Sequence, residues 1–276
     1  MDLLQDFDTL EPTATTYAIP CGNRKMTWRV WGRGSPVILL HGSVGSWTHW
    51  VRNISALAER HTVYVPDLPG YGDSASLEGP STFNNLATKL WSCFDTLCPE
   101  RPDIALAGFS FGSVVAECMA LARNDQVRQL LLLRGNFSDK VPRPPSGMQK
   151  WRHLDDRAEL AAVQRHNLAL SMFHDCTRID DQAVSLHIDN CNRAIADHTA
   201  FLSSRPVDAL RSIAAKVYGI AGEFDCYSAP DLKEQGQALL RIRPDAEFHL
   251  VPHAGHWTMY EAPETVNRIL LEALAC

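Results

Sequence analysis

The chain has 276 residues, 45% hydrophobic and 21% charged, a balance that excludes a disordered or collagen-like polymer and allows one sizeable core. Its formal net charge is −6, with 26 basic against 32 acidic side chains and no polybasic block, so a small molecule is the expected partner, not nucleic acid or a membrane surface. Eight scattered cysteines without a C-x-x-C pair, an acidic start and no apolar run near ~20 residues predict a soluble cytoplasmic protein with free thiols.

In chain order, the alternating segments Thr16 to Ile19 and Lys25 to Trp31 flank Pro20 to Arg24 and predict an antiparallel hairpin. Short, continuously apolar runs follow at Val37 to Leu40, Thr62 to Val65, Asp103 to Ala107 and Leu130 to Leu133. Runs of this kind suit strands covered by helices on both faces, as in a parallel sheet. Helical patterns at Ile54 to Arg60, Phe83 to Leu97 and Val114 to Arg123 fit between them. After Leu133 the rhythm stops: Pro142, Pro144 and Pro145 break the chain, and helical patterns follow at Leu154 to Phe173 and Asp181 to Ala196. Strand character returns at Lys216 to Ala221 and Phe248 to Val251, and Pro263 to Leu274 reads as a closing amphipathic helix. The predicted class is α/β, a mostly parallel central sheet flanked by helices. Residues 1–135 and 211–276 form its core, and residues 136–210 an inserted helical cap.

Gly108-Phe109-Ser110-Phe111-Gly112 lies between a predicted strand and a predicted helix. In such a turn the serine takes a strained conformation and projects its hydroxyl beyond the strand end, while flanking glycines let neighbouring backbone approach. A serine hydroxyl needs a base, and the base a carboxylate to orient it. Asp225 follows one late strand and His256 the next, so Ser110, Asp225 and His256 converge at one sheet edge. His253 as base and Glu223 as acid are rival assignments, and His253 with His256 could also be read as two metal ligands. No metal or cofactor is expected. The backbone N–H groups of Ser43 and Phe111 are the candidate oxyanion donors, and His41 an anchor for the Ser43 loop. Trp47, Trp257 and the cap residues His187, Asn190 and Arg193, which are spaced three apart, are the candidate substrate contacts.

These motifs, with His41-Gly42 and Gly45, the loop Asp67 to Ser74, and Gly255-His256-Trp257, resemble the α/β-hydrolase fold superfamily over nearly the whole chain. Serine as nucleophile sets the chain apart from that fold's dehalogenases and epoxide hydrolases, which carry aspartate there. The Gly255-His256-Trp257 end and the cap resemble the meta-cleavage product hydrolases, which split a carbon–carbon bond in ring-fission products of aromatic degradation. Those enzymes usually show Gly-Asn-Ser at the elbow and a cap arginine that holds the dienoate. Here the elbow is Gly108-Phe109-Ser110, and His187 stands near that arginine's place. On these departures the first expectation is a serine hydrolase that cleaves a small carboxylic ester through an acyl-enzyme. Carbon–carbon hydrolysis is the alternative, and a non-catalytic binding module a third reading.

Overall fold

The computed structural model describes residues 7–134, 137, 145–204, 209–227 and 232–275. Among them are eight strands: β1 (Thr15–Cys21), β2 (Arg24–Trp31), β3 (Ser35–Leu40), β4 (His61–Pro66), β5 (Ile104–Phe109), β6 (Val127–Leu133), β7 (Lys216–Gly222) and β8 (Glu247–Val251). They form one sheet in the order β1-β2-β4-β3-β5-β6-β7-β8. The β1/β2 and β2/β4 pairs are antiparallel and the rest parallel. The hairpin turns more tightly than predicted, on Gly22 and Asn23 alone, with Gly22 at φ +68°. Pro20 continues β1 because an edge strand tolerates a missing N–H.

The apolar runs are buried on both faces, as a parallel sheet requires. Val37 and Leu39 of β3 join one core layer with Trp50, Leu57 and Leu131, while Ile38 and Leu40 join the other with Leu90, Phe94 and Met119. β6 alternates in the same way, Leu130 and Leu132 against Leu131 and Leu133. The helix Phe83–Leu97 fills one layer and is capped by Thr82, whose side chain accepts the Asn85 N–H. A helix at Leu232–Ile242 went unpredicted because its buried face includes Gln235 and Gly236, which dilute the apolar period.

Among the described residues between β6 and β7, the main elements are the helices Arg157–Ser171 and Asp181–Arg193. Each starts where an aspartate caps it: Asp156 accepts the Glu159 N–H and Asp180 the Ala183 N–H, both at 2.8 Å. The predicted boundary at 136 and the breakers Pro142 and Pro144 lie outside the described residues, as does Cys276. Among the described residues the seven other cysteines are free thiols, and no helix is long and apolar enough to cross a membrane. Strand order reverses around β3, which pairs with both β4 and β5, so the carboxyl ends of β3 and β5 border the crevice where such sheets bind ligands.

Candidate active site

Ser110 is the residue between β5 and the helix Phe111–Ala122, which begins three residues before the predicted start because the strand passes directly into it. Its backbone is at φ +52°, ψ −112°, a region that L-residues avoid. The Ser110 N–H donates to Leu133 O at 2.9 Å, tying the turn to the end of β6. A side chain on Gly108 would run into Gly112 O, and one on Gly112 into the Leu40 and His41 carbonyl oxygens. Both glycines are therefore required by close backbone packing.

Asp225 and His256 meet at the same edge. His256 Nδ1 lies 3.0 Å from Asp225 Oδ2, and the Tyr227 N–H donates to Oδ1 at 2.9 Å. Asp225 is 0% exposed and His256 6%. Burial opposes charge on Asp225, but His256, Arg134 and the Tyr227 amide outweigh it and hold the carboxyl below the usual carboxylate range. The Phe109 ring, next to the serine, lies 4.9 Å from the His256 ring. His253 instead is exposed, and its backbone N–H donates to Glu223 Oε2 at 3.1 Å. Asp225 is thus paired with His256, while the rival pair of His253 and Glu223 meets through the His253 backbone.

The loop after β3 faces the elbow: a side chain on Gly42 would touch the Phe109 ring and Ser110 Cβ. His41 anchors this loop as expected, accepting the Leu68 N–H on Nε2 at 2.8 Å, with Nδ1 2.7 Å from Gly42 O. Those partners require the neutral tautomer protonated at Nδ1, and burial pushes the His41 pKa down to about 4. His49 accepts the Gly42 N–H on Nδ1 at 3.2 Å, leaving the Ser43 amide as the loop's candidate donor. His49 is held well below the ordinary imidazole value, first by burial and then by His41, His187 and His256.

Each of the five candidate substrate contacts has a partner within the protein. Trp47 packs on Phe7 and Trp31, with ring centres 5.4 Å away in each case, beneath the Arg29 guanidinium. Trp257 is 1% exposed and donates its indole N–H to His49 O at 2.9 Å. Asn190 donates to Thr48 Oγ1 at 3.0 Å, seating the helix Asp181–Arg193 on the turn Trp47–Trp50. Arg193 forms ion pairs with Asp73 and Asp189. His187 is half-buried, with Nε2 3.6 Å from Cys191 Sγ, and burial pushes its pKa down to about 4.

Sequence reasoning missed three further residues. His49 sits in no motif. Arg134 directly follows the apolar run of β6 and reaches to 3.8 Å from Asp225 Oδ2; a charge at the carboxyl end of a buried strand is the signal that could have found it. The Glu261 carboxylate is buried and accepts the N–H groups of His174 (3.0 Å), Asp175 (2.7 Å) and Gly255 (2.7 Å), joining the inserted helices' connecting loop to the residue before His256.

Comparison with known proteins agrees with this architecture. The sequence profile of the α/β-hydrolase family matches residues 37–269. A 2-hydroxy-6-oxononadienedioate/2-hydroxy-6-oxononatrienedioate hydrolase of Paraburkholderia phymatum is 30% identical over 257 residues, 86% of each chain. A 2-hydroxy-6-oxo-6-phenylhexa-2,4-dienoate hydrolase of Burkholderia cepacia is 28% identical over 88% of this chain and 89% of its own. Among solved structures, a meta-cleavage product hydrolase from Pseudomonas fluorescens superposes with TM-score 0.75 at 20% identity, covering 94% of this chain and 97% of that one. An esterase from Rhodococcus superposes with TM-score 0.76 at 17% identity, covering 95% and 98%; at such identities both show the fold alone. The relatives' names overturn the carboxylic-ester expectation. That expectation leaned on Phe109 standing where asparagine is usual and on His187 standing near the place of the cap arginine; Phe109 is 1% exposed and packs on the rings of His49 and His256. Sheet order, elbow and matched length lead to one conclusion: the chain belongs to the α/β-hydrolase family.

Proposed function

We propose that this protein hydrolyses a carbon–carbon bond in a 2-hydroxy-6-oxo-dienoate, with Ser110 as nucleophile, His256 as base and Asp225 as the carboxylate that orients it. The observation that carries the choice of bond is the naming of the relatives that align over 86% or more of the chain. The pairing of buried Asp225 with His256 supports the assignment of roles.

Cleaving such a bond requires the departing carbon to leave as a stabilised carbanion. In the 2-keto tautomer of the substrate, the electrons of the C5–C6 bond can pass into the conjugated 2-oxo acid, which takes them as a dienolate. Ser110 Oγ attacks the C6 carbonyl while His256 takes its proton, and the Ser43 and Phe111 amides stabilise the oxyanion. Collapse breaks C5–C6, and the His256 imidazolium returns its proton to the departing dienolate. Water, deprotonated by His256, then attacks the acyl-serine and releases a carboxylic acid. Asp225 stays ionised and holds the imidazole tautomer. Residues 136–210 act as a cap over the core of residues 1–135 and 211–276, and His187 is the cap side chain turned to the substrate.

The test is to mix purified protein with 2-hydroxy-6-oxo-6-phenylhexa-2,4-dienoate and follow loss of the dienolate absorbance. Turnover to benzoate and a 2-hydroxypentadienoate, abolished in Ser110→Ala, is expected. No turnover of this or of the nonadienedioate substrate by folded protein would overturn the proposal.

A further inference from the structure

Arg134 is the first residue after β6 and takes no part in the steps above. Its backbone turns at φ +57°, its N–H donates to Ile220 O at 2.7 Å, and its side chain extends to Asp225. Arg134 Nε lies 3.8 Å from Asp225 Oδ2, the same oxygen that faces His256 Nδ1. Nη2 donates to Tyr227 O at 3.2 Å. The guanidinium lies 5.8 Å from the centre of the Tyr227 ring, which itself lies 4.6 Å from the His256 ring. One carboxylate oxygen is therefore shared between a guanidinium and an imidazole, within a site where the arginine side chain is only 11% exposed.

A fully buried carboxylate beside a neutral imidazole is an uncompensated charge, which a low-dielectric site disfavours. We propose that Arg134 is a positioning residue: it compensates Asp225 while His256 is neutral, keeps the carboxylate ionised, and limits how strongly that carboxylate stabilises the imidazolium. The inference rests on the triad proposed above. Among the described residues, the other groups that face the pair supply no competing fixed charge. Burial pushes the Cys226 thiol and the Tyr227 phenol each up to about 12, so both stay neutral. From the turn Trp47–Trp50, His49 is neutral, and His187 beyond it is neutral as well. Ser110 and Phe109 on the elbow carry no charge, and the Glu261 carboxylate accepts the Gly255 N–H in the His256 loop. Without the cation, the field of Asp225 falls on His256 alone, the imidazolium gains, and the base is lost at higher pH.

The experiment measures the rate of fluorophosphonate labelling from about pH 5 to 9 for full-length wild type, Arg134→Gln and Arg134→Lys, each checked for folding by circular dichroism. Labelling of wild type at Ser110 is expected, with the midpoint of the pH–rate curve moved up by about half a unit to one unit in Arg134→Gln and by less than about 0.3 unit in Arg134→Lys. An unchanged midpoint in Arg134→Gln, with labelling intact, would overturn the role of Arg134 and leave the triad standing. Absence of labelling in folded wild type would instead defeat the triad. Should Arg134→Gln not fold, Arg134→Met takes its place as the neutral variant: an upward shift of the midpoint supports the electrostatic role, and an unmoved midpoint with labelling intact overturns it.

Discussion

At the sheet edge, position is set by backbone: Ser110 N–H on Leu133 O, Gly108 against Gly112 O, Gly112 against the Leu40 and His41 carbonyls. The helices inserted between β6 and β7 rest on that edge through side chains, Asn190 on Thr48, Asp180 on Arg52 and Tyr260, Arg193 on Asp73, and Glu261 on the His174 and Asp175 amides, together with three backbone bonds, the Ile195 and Ala196 N–H groups on Gly70 O and the Trp257 N–H on Met172 O. Catalytic groups must be held within about 0.5 Å, which suits contacts with no rotatable bonds. Side-chain hydrogen bonds can be exchanged for water at a net cost of about 1 kcal/mol each. The side-chain part of that seating therefore tolerates more adjustment than the elbow does.

Breaking the backbone side of this contrast gives the largest effect. Gly112→Ala places a methyl group against two carbonyl oxygens that cannot move independently, so we expect a loss of about 3 kcal/mol or more in urea unfolding, together with loss of Ser110 labelling. Wild-type stability with unlabelled Ser110 would show that the elbow has room to adjust.

Acid sharpens the comparison at somewhat smaller cost. His41 is buried neutral, with its pKa pushed from the ordinary 6.5 down to about 4. The unfolded chain therefore binds the extra proton first, and the stability that His41 supplies above pH 6.5 is lost as pH falls toward 4, up to about 3 kcal/mol. Urea midpoints at about pH 7 and 4.5 should differ less in His41→Gln than in wild type; equal differences would place the acid sensitivity elsewhere, at His49 or His187. The smallest effect belongs to the inserted helices. Arg193→Ala removes exposed ion pairs with Asp73 and Asp189 and should cost less than about 0.5 kcal/mol, with turnover unchanged. A rise in KM confined to acidic substrates would mean that Arg193 exchanges Asp73 for substrate.

What could be read from the sequence was whatever the backbone imposes locally. The elbow glycines, the apolar strands and the order Ser110, Asp225, His256 each leave a mark within a few residues. Arg193, Asn190 and His187 are spaced three apart on one helix, but spacing alone cannot say what each meets, and Asp73 and Thr48 are distant in sequence. His49, Arg134 and Glu261 acquire their partners only through tertiary contact. The bond to be cut was misjudged because two departures, Phe109 at the elbow and His187 near the place of the cap arginine, were weighed as marks of specificity, and Phe109 is packed against the His49 and His256 rings.

The strained turn at Ser110 also makes the serine a gauge of folding. An unfolded chain has no reason to hold φ at +52°, and its serine is an ordinary alcohol. Ser110 becomes distinct only when β3, β5, β6 and the helix that follows β5 are assembled, since each contributes a wall of the turn. Under the proposed role, covalent capture of Ser110 during refolding would time the joining of that turn to Asp225 and His256 in a single readout.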